Sequence, residues 1–229
     1  MATVEDWTFD NGIADNFEEH VRQSVPGYSM FEDYIVSLSR FFIPHNGKVL
    51  DLGASTGELA EAIYNCNKNR ISLFGVIDNS NDMFCKLQER FNDNYYFDCC
   101  KTDISYGIPI SEDFDFIVAS LVLQFIPLDD RRIALEDCFT HLTNNGAMIV
   151  VEKILQETGN DQAMFDTIYQ SNKYFNGLNP QQLYDKTQSL VGIMTPLTSE
   201  ENEEMFKKCG FNVTPFFQLG CFKGWILRK

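Results

Sequence analysis

The chain has 229 residues, 44% hydrophobic and 22% charged. That balance suits one large globular domain with a real core and excludes disordered or collagen-like chains. With 18 Lys and Arg against 33 Asp and Glu the formal charge is −15; the average surface repels phosphate polyanions, and direct nucleic-acid binding is not expected.

Seven cysteines without a CxxC pair and three histidines without zinc-site spacing point to reduced thiols in a cytoplasm and to no structural metal. The acidic start and the absence of a long apolar run predict neither a secretory leader nor a membrane span.

In chain order, a first helix carries Phe17, His20 and Val21 on one face and breaks at Ser24-Val25-Pro26-Gly27-Tyr28; a second runs from about Met30 to Phe42. After the turn cluster Pro44-His45-Asn46-Gly47, Lys48 to Leu52 reads as a buried strand. The alternation continues with helix Gly57–Asn65, strand Ile71–Ile77, helix Ser80–Phe91 and a short strand at Tyr95–Phe97. Strand Phe114–Ser120, helix Asp129–His141 and strand Gly146–Val151 complete it. Strands alternating with helices predict a mostly parallel, Rossmann-like α/β sheet with helices on both faces.

Two helices, Gln162–Phe175 and Gln181–Leu190, then form an insert over 155–195, and a helix opens at Ser199 and closes at Gly210. The runs Asn212–Phe217 and Phe222–Leu227 are joined by Gln218-Leu219-Gly220, too short for a parallel crossover, so the last strand is antiparallel. Residues 1–45 are read as an N-terminal helical lid and 46–229 as the sheet domain with its insert.

Asp51-Leu52-Gly53-Ala54-Ser55-Thr56-Gly57 lies where a strand turns into a helix. Glycine there lets backbone approach a ligand, and the helix start offers free N–H groups. Asp78 ends the next strand, where a carboxylate can accept from both ribose hydroxyls; the bland alternative is a helix cap. Asp103-Ile104 suits an adenine edge at a third strand end. Ser55 occupies the middle glycine position of a dinucleotide fingerprint, which disfavours a pyrophosphate and favours S-adenosylmethionine. Glu152 and Lys153, at the end of the fifth strand, are candidates for acid/base work or substrate orientation. Tyr28 follows a Pro-Gly turn, and Tyr169 and Tyr174 are candidates for lining a substrate pocket.

From Val49 to Lys153 the chain resembles a class I S-adenosylmethionine-dependent methyltransferase. Trp7-Thr8-Phe9-Asp10, Ser24-Val25-Pro26-Gly27-Tyr28-Ser29, Asp78-Asn79-Ser80, Leu123-Gln124-Phe125, Glu152-Lys153 and Phe217-Gln218 resemble, more closely, the carboxy-S-adenosylmethionine synthase family. That family makes a carboxylated cofactor from S-adenosylmethionine and prephenate for tRNA wobble uridine modification. The resemblance implies cofactor contacts at Tyr28, Gly53, Ala54, Ser55, Asp78, Asn79, Asp103, Ile104 and Ser120, and a homodimer; Tyr28 and Glu152 are the catalytic candidates by their positions in the chain.

Two positions depart from the family. Ser120 replaces an asparagine, and Thr187 replaces the arginine that grips the added carboxylate. A threonine cannot supply an arginine's two charge-assisted hydrogen bonds, which leaves Lys186 or Lys173 as point charges in its place. The expected function is an S-adenosylmethionine-dependent transferase acting on a small molecule or on the cofactor itself. Carboxy-S-adenosylmethionine synthesis and a non-catalytic S-adenosylmethionine-binding regulator are the alternatives.

Overall fold

The computed structural model describes residues 13–109 and 111–229; the Trp7–Asp10 motif lies outside them. Eight helices occur among the described residues: α1 (Phe17–Ser24), α2 (Tyr28–Phe42), α3 (Glu58–Asn67), α4 (Asn81–Phe91), α5 (Leu128–His141), α6 (Gly159–Phe175), α7 (Pro180–Ser189) and α8 (Ser199–Lys208). The strands are β1 (Gly47–Leu52), β2 (Ile71–Asp78), β3 (Phe97–Lys101), β4 (Phe114–Ser120), β5 (Leu142–Leu155), β6 (Leu197–Thr198), β7 (Asn212–Leu219) and β8 (Phe222–Arg228). The main sheet runs β3-β2-β1-β4-β5-β8-β7, with β6 paired to β5. Its first five strands are mutually parallel, while β8 is antiparallel to both β5 and β7.

Period-two alternation divides the core. Val49, Phe74, Val76, Phe116, Val118 and Ile149 face one cluster, into which α2 sends Phe31 and Ile35 and α3 sends Ala60 and Ile63. Leu50, Leu52, Ile117, Ala119, Met148 and Val150 face the other, with Leu135 of α5 and Phe206 of α8. Full burial of each such side chain contributes about 1.5–3 kcal/mol. The chain steps outward from β1 to β2 and β3 and then crosses back to β4 on the other side of β1, creating the switch-point crevice at the strands' carboxyl ends.

Three boundaries differ from those the sequence predicts. The third strand is Phe97–Lys101 rather than Tyr95–Phe97, because Asn94 opens a turn whose Oδ1 accepts from Tyr96 N. As an edge strand paired only with β2, it needs no continuous apolar run. β5 extends over Leu142–Leu155, beyond Gly146–Val151, because it carries partners on both sides. The final hairpin turns at Gly220-Cys221, with Gly220 at φ 59°.

The insert is unusual in its burial. α7 has no buried residue and α6 only Lys173. α7 is nevertheless well started, by a capping box between Asn179 and Gln182 with Pro180 in its first turn.

Candidate functional site

A cavity of about 640 Å³ opens at the carboxyl ends of the central strands, a size that suits a small-molecule ligand. Its wall includes Tyr28, Gly53, Ala54, Ser55, Asp78, Asn79, Asp103, Ile104 and Ser120 together. α1 roofs it with Phe17, His20, Val21 and Ser24, and the insert adds Tyr169, Lys186, Ser189 and Leu190.

The glycine loop is held from behind by Asp78. Its Oδ2 accepts from Ser55 N at 2.9 Å and its Oδ1 from Ser80 N at 2.9 Å. Ser80, not Asp78, is the N-cap of α4, accepting from Met83 N. Gly53 and Ser55 take left-handed backbone, φ 64° and 54°. A Cβ on Gly53 would meet Val122 Cγ2 at 2.6 Å, so only glycine lets the first loop and the Leu121–Val122 turn approach this closely. Asp103 accepts from Ser105 N at 2.9 Å and caps a short 3₁₀ turn, combining the cap and wall positions.

Two buried acceptors near this end lack protein partners, Asp51 Oδ2 and Ser120 Oγ. Burial, then the nearby Asp78 and Glu32 carboxylates, push Asp51 well above the usual carboxylate range. Glu32, one turn beyond Tyr28, is raised to about 7, mainly by burial and then by Glu58. Tyr28 packs edge-on against Phe31 at 5.0 Å, and burial followed by Glu32 and its hydrogen bond raises its hydroxyl.

The opposite end is cationic. Lys186 Nζ lies 2.9 Å from Ser24 Oγ and contacts His20 Nε2. The ammonium groups of Lys173 and Lys153 lie 4.0 and 4.8 Å from the Tyr169 ring centroid, cation–π contacts in a desolvated setting. Burial, then Lys173, lowers Lys186 to about 7. Burial, then Lys153, lowers Lys173 to about 8, and His20 falls to about 4 through burial, Lys186 and Lys173. The nearest carboxylate on α7, Asp185, is engaged by Gln181 at 2.7 Å. The net −15 chain thus places Lys153 and Lys186 in the cavity wall, with Lys173 buried against Tyr169.

Glu152 is not brought to the cavity wall. It is buried beneath it, with Oε1 accepting from Val122 N and Leu123 N at 3.1 and 2.8 Å and Oε2 from Gln124 N at 2.9 Å. Burial raises it to about 7 against those hydrogen bonds. Its carboxylate is occupied by backbone, so the acid/base role expected for it lacks access to a ligand. Tyr169 lines the cavity, whereas Tyr174 is exposed. Thr187 is also exposed and its hydroxyl donates to Leu183 O. His20, on the face of the first helix shared with Phe17 and Val21, is also a wall residue. Among the described residues no cluster of His, Cys, Asp or Glu is placed to hold a metal ion, and no helix is long and apolar enough to cross a membrane.

The sheet order, the glycine loop and the acidic strand ends define an S-adenosylmethionine-dependent transferase of the methyltransferase fold. A family model described as a methyltransferase domain matches residues 50–148. Similar folds occur in an S-adenosylmethionine-dependent methyltransferase from Aquifex aeolicus (TM-score 0.61, 16% identity, 96% of this chain and 98% of that one). Human N-acetylserotonin methyltransferase in complex with S-adenosylmethionine is also similar (TM-score 0.62, 16% identity, 94% of this chain and 54% of that one). The carboxy-S-adenosyl-L-methionine synthase of Staphylococcus epidermidis is 33% identical over 231 residues, 97% of each chain. That of Shewanella halifaxensis is 30% identical over 233 residues, 99% of this chain and 94% of its own. The chain belongs to the carboxy-S-adenosyl-L-methionine synthase family.

The cavity fits S-adenosylmethionine on its own chemistry. Unpartnered Asp51 Oδ2 and Ser120 Oγ are acceptors for donor groups, and Gly53 leaves space for close approach.

Proposed function

We propose that this enzyme carboxylates S-adenosylmethionine, taking the carboxyl group from an anionic carboxylate donor of the prephenate type. The carrying observation is the charge make-up of the cavity: its wall holds the strand-end carboxylates Asp51, Asp78 and Asp103 and also the ammonium groups of Lys153 and Lys186, with Lys153 and buried Lys173 over Tyr169. Asp78 and Asn79 hold the ribose, Asp103 and Ile104 the adenine, and Gly53, Ala54, Ser55 and Ser120 the methionine end. Tyr28 sits at the junction, beside the reacting carbon.

When bound, S-adenosylmethionine supplies a sulfonium whose methyl group is electrophilic and has acidified hydrogens. The chain's own work is placement and water exclusion. Lys186, backed by His20 and Ser24 of α1, holds a carboxylate in place of the family's arginine, with Lys153 as the second cation. An anion there also restores charge to lysines that burial has pushed toward neutrality. α1 closes the roof, fixed by Arg90 to Glu18 at 2.6 Å, Thr56 to Glu18 at 2.9 Å and the Arg22–Glu58 pair.

The chain acts in the cytoplasm, and its product serves a separate enzyme of tRNA wobble uridine modification; at −15 this chain itself avoids tRNA. It works as a homodimer, which agrees with the exposed apolar side chains of the insert, Met164, Ile168, Phe175 and Tyr184. Light scattering after size exclusion checks the dimer.

A second reading, methyl transfer to a small anionic acceptor, is favoured by one observation, the outward-facing Thr187. Incubation with S-adenosylmethionine and prephenate, followed by mass spectrometry, separates the two. The proposal expects a product heavier than S-adenosylmethionine by one carbon dioxide. Its absence, with S-adenosylhomocysteine accumulating on anionic acceptors, establishes the second reading instead.

A further inference from the structure

The geometry points to Glu152 as a positioning residue that sets the wall between the two ends of the cavity, holding the Leu121–Gln124 turn against the glycine loop at the methionine end while registering the lysine-bearing end through Gln124. The inference rests on the proposed occupancy of those two ends.

Glu152 meets three consecutive N–H groups, from Val122, Leu123 and Gln124, within 3.1 Å. Successive backbone N–H groups form an anion-binding concavity, here filled by a side chain of the same molecule. The carboxylate stabilises the turn that begins at Leu121, whose left-handed backbone (φ 62°) is costly for a branched side chain. Leu121, Val122 and Gln124 all line the cavity, and Val122 is the side chain against which Gly53 is packed.

Gln124 passes this position on. Its side-chain Oε1 accepts from Lys153 N at 3.0 Å, and its backbone carbonyl accepts from Thr195 N at 2.8 Å. Arg131, 1% exposed, donates from Nε to Ile126 O at 2.9 Å and from Nη2 to Thr195 O at 2.6 Å. The same guanidinium also contacts Thr195 Oγ1. Thr195 directly follows Met194, a wall residue at the return of the insert. One carboxylate is therefore joined, through backbone and two buried polar side chains, to the glycine-loop wall, to Lys153 and to the segment leaving α7. Apart from the Arg131–Thr195 Oγ1 contact, each link is a hydrogen bond with a backbone group at one end, an arrangement that preorganises a site.

Glu152→Gln presents an amide N–H2 to one of the three backbone donors, whereas Glu152→Asp keeps an acceptor-only carboxylate. The test measures S-adenosylhomocysteine affinity by calorimetry, amide hydrogen exchange at 122–124, and KM for prephenate where turnover occurs. For Glu152→Gln we expect at least tenfold weaker S-adenosylhomocysteine binding and faster exchange at those three amides, with recovery of part of both in Glu152→Asp. Affinity within twofold of the parent in folded Glu152→Gln overturns the proposal, as does equal loss in Glu152→Asp.

If Glu152→Gln does not fold, Gln124→Met decides. It leaves the Glu152 contacts in place and removes only the tie to Lys153 N. An increase of several-fold in the dissociation constant for prephenate with S-adenosylhomocysteine affinity retained supports the coupling, and unchanged affinity for both overturns it. The two binding readouts do not require turnover, so a protein that fails to make the carboxylated product still tests the positioning role.

Discussion

Lys186 of α7 and Ser24 of α1, 162 positions apart in the chain, meet at 2.9 Å inside the cavity roof. The contact joins the N-terminal helix to the insert and fixes a cation where the family's arginine is missing. A charge-assisted hydrogen bond to a carboxylate contributes about 1.5–3 kcal/mol, roughly 10- to 100-fold in affinity.

Lys186→Met is therefore expected to raise KM for the carboxylate donor at least tenfold while leaving S-adenosylhomocysteine affinity within twofold. Thr187→Arg changes little, because residue 187 is exposed and its hydroxyl is turned back to Leu183 O. Steady-state kinetics with calorimetry check both. A gain of activity in Thr187→Arg together with indifference to Lys186→Met would place the carboxylate elsewhere.

The same lysines predict a pH dependence. Lys186 is lowered to about 7 and Lys173 to about 8, burial being the first cause in each. An anion binds the protonated cluster, so its binding takes up protons, and affinity falls as pH rises from about 7 toward 9. For the ligand-free fold the sign is opposite. The unfolded chain holds these protons up to higher pH, so stability rises with pH across the window above 7. Prephenate titrations at several pH values read the first effect; a flat profile contradicts it.

Glu32 gives a stability prediction of its own. Its pKa is raised to about 7, chiefly by burial, and Oε1 has no partner. Below the unfolded carboxyl value both states are protonated and nothing is lost. Between about 4.5 and 7 the unfolded carboxyl is ionised while the buried one keeps its proton, so stability falls across that window and levels off above it. Glu32→Gln carries no such cost and is expected to be more stable than the parent at pH 8, on the order of 1–3 kcal/mol, with the difference vanishing near pH 4. Denaturant melts at the two pH values measure it.

Asp78 is expected to be both a ligand contact and a brace. Asp78→Asn turns an N–H2 toward the Ser55 or Ser80 N–H it now accepts, costing about 1–3 kcal/mol of stability as well as most donor affinity. Gly53→Ala forces a Cβ into Val122 at 2.6 Å and a left-handed backbone, with a similar loss of stability and a matching loss of S-adenosylhomocysteine binding. Thermal melts with and without S-adenosylhomocysteine separate the two effects. A variant that binds as the parent does would displace the nucleoside from this crevice.

Much of this was legible in the chain. Apolar runs punctuated by glycine mark β1, β2 and β4, and their ends gather Gly53, Asp78 and Ser120 because parallel strands deliver their carboxyl ends to one edge. β3 was misplaced because an edge strand with the polar run Phe97-Asp98-Cys99-Cys100-Lys101 carries little periodic signal. The strand-end position of Glu152 suggests catalysis, yet the backbone partners that occupy it lie 28 to 30 residues away in sequence. The meeting of His20 with Lys186 depends on how the insert folds back over α1. A helix such as α7 with no buried residue leaves no apolar stripe that would reveal its docking face.

The most direct test of the polarised cavity is a crystal structure of the protein with S-adenosylhomocysteine and prephenate. The account predicts the ribose hydroxyls on Asp78 and a prephenate carboxylate oxygen within hydrogen-bonding distance of Lys186 Nζ. A prephenate seated away from the lysines, or a nucleoside lying outside the crevice between Gly53 and Asp103, would contradict it.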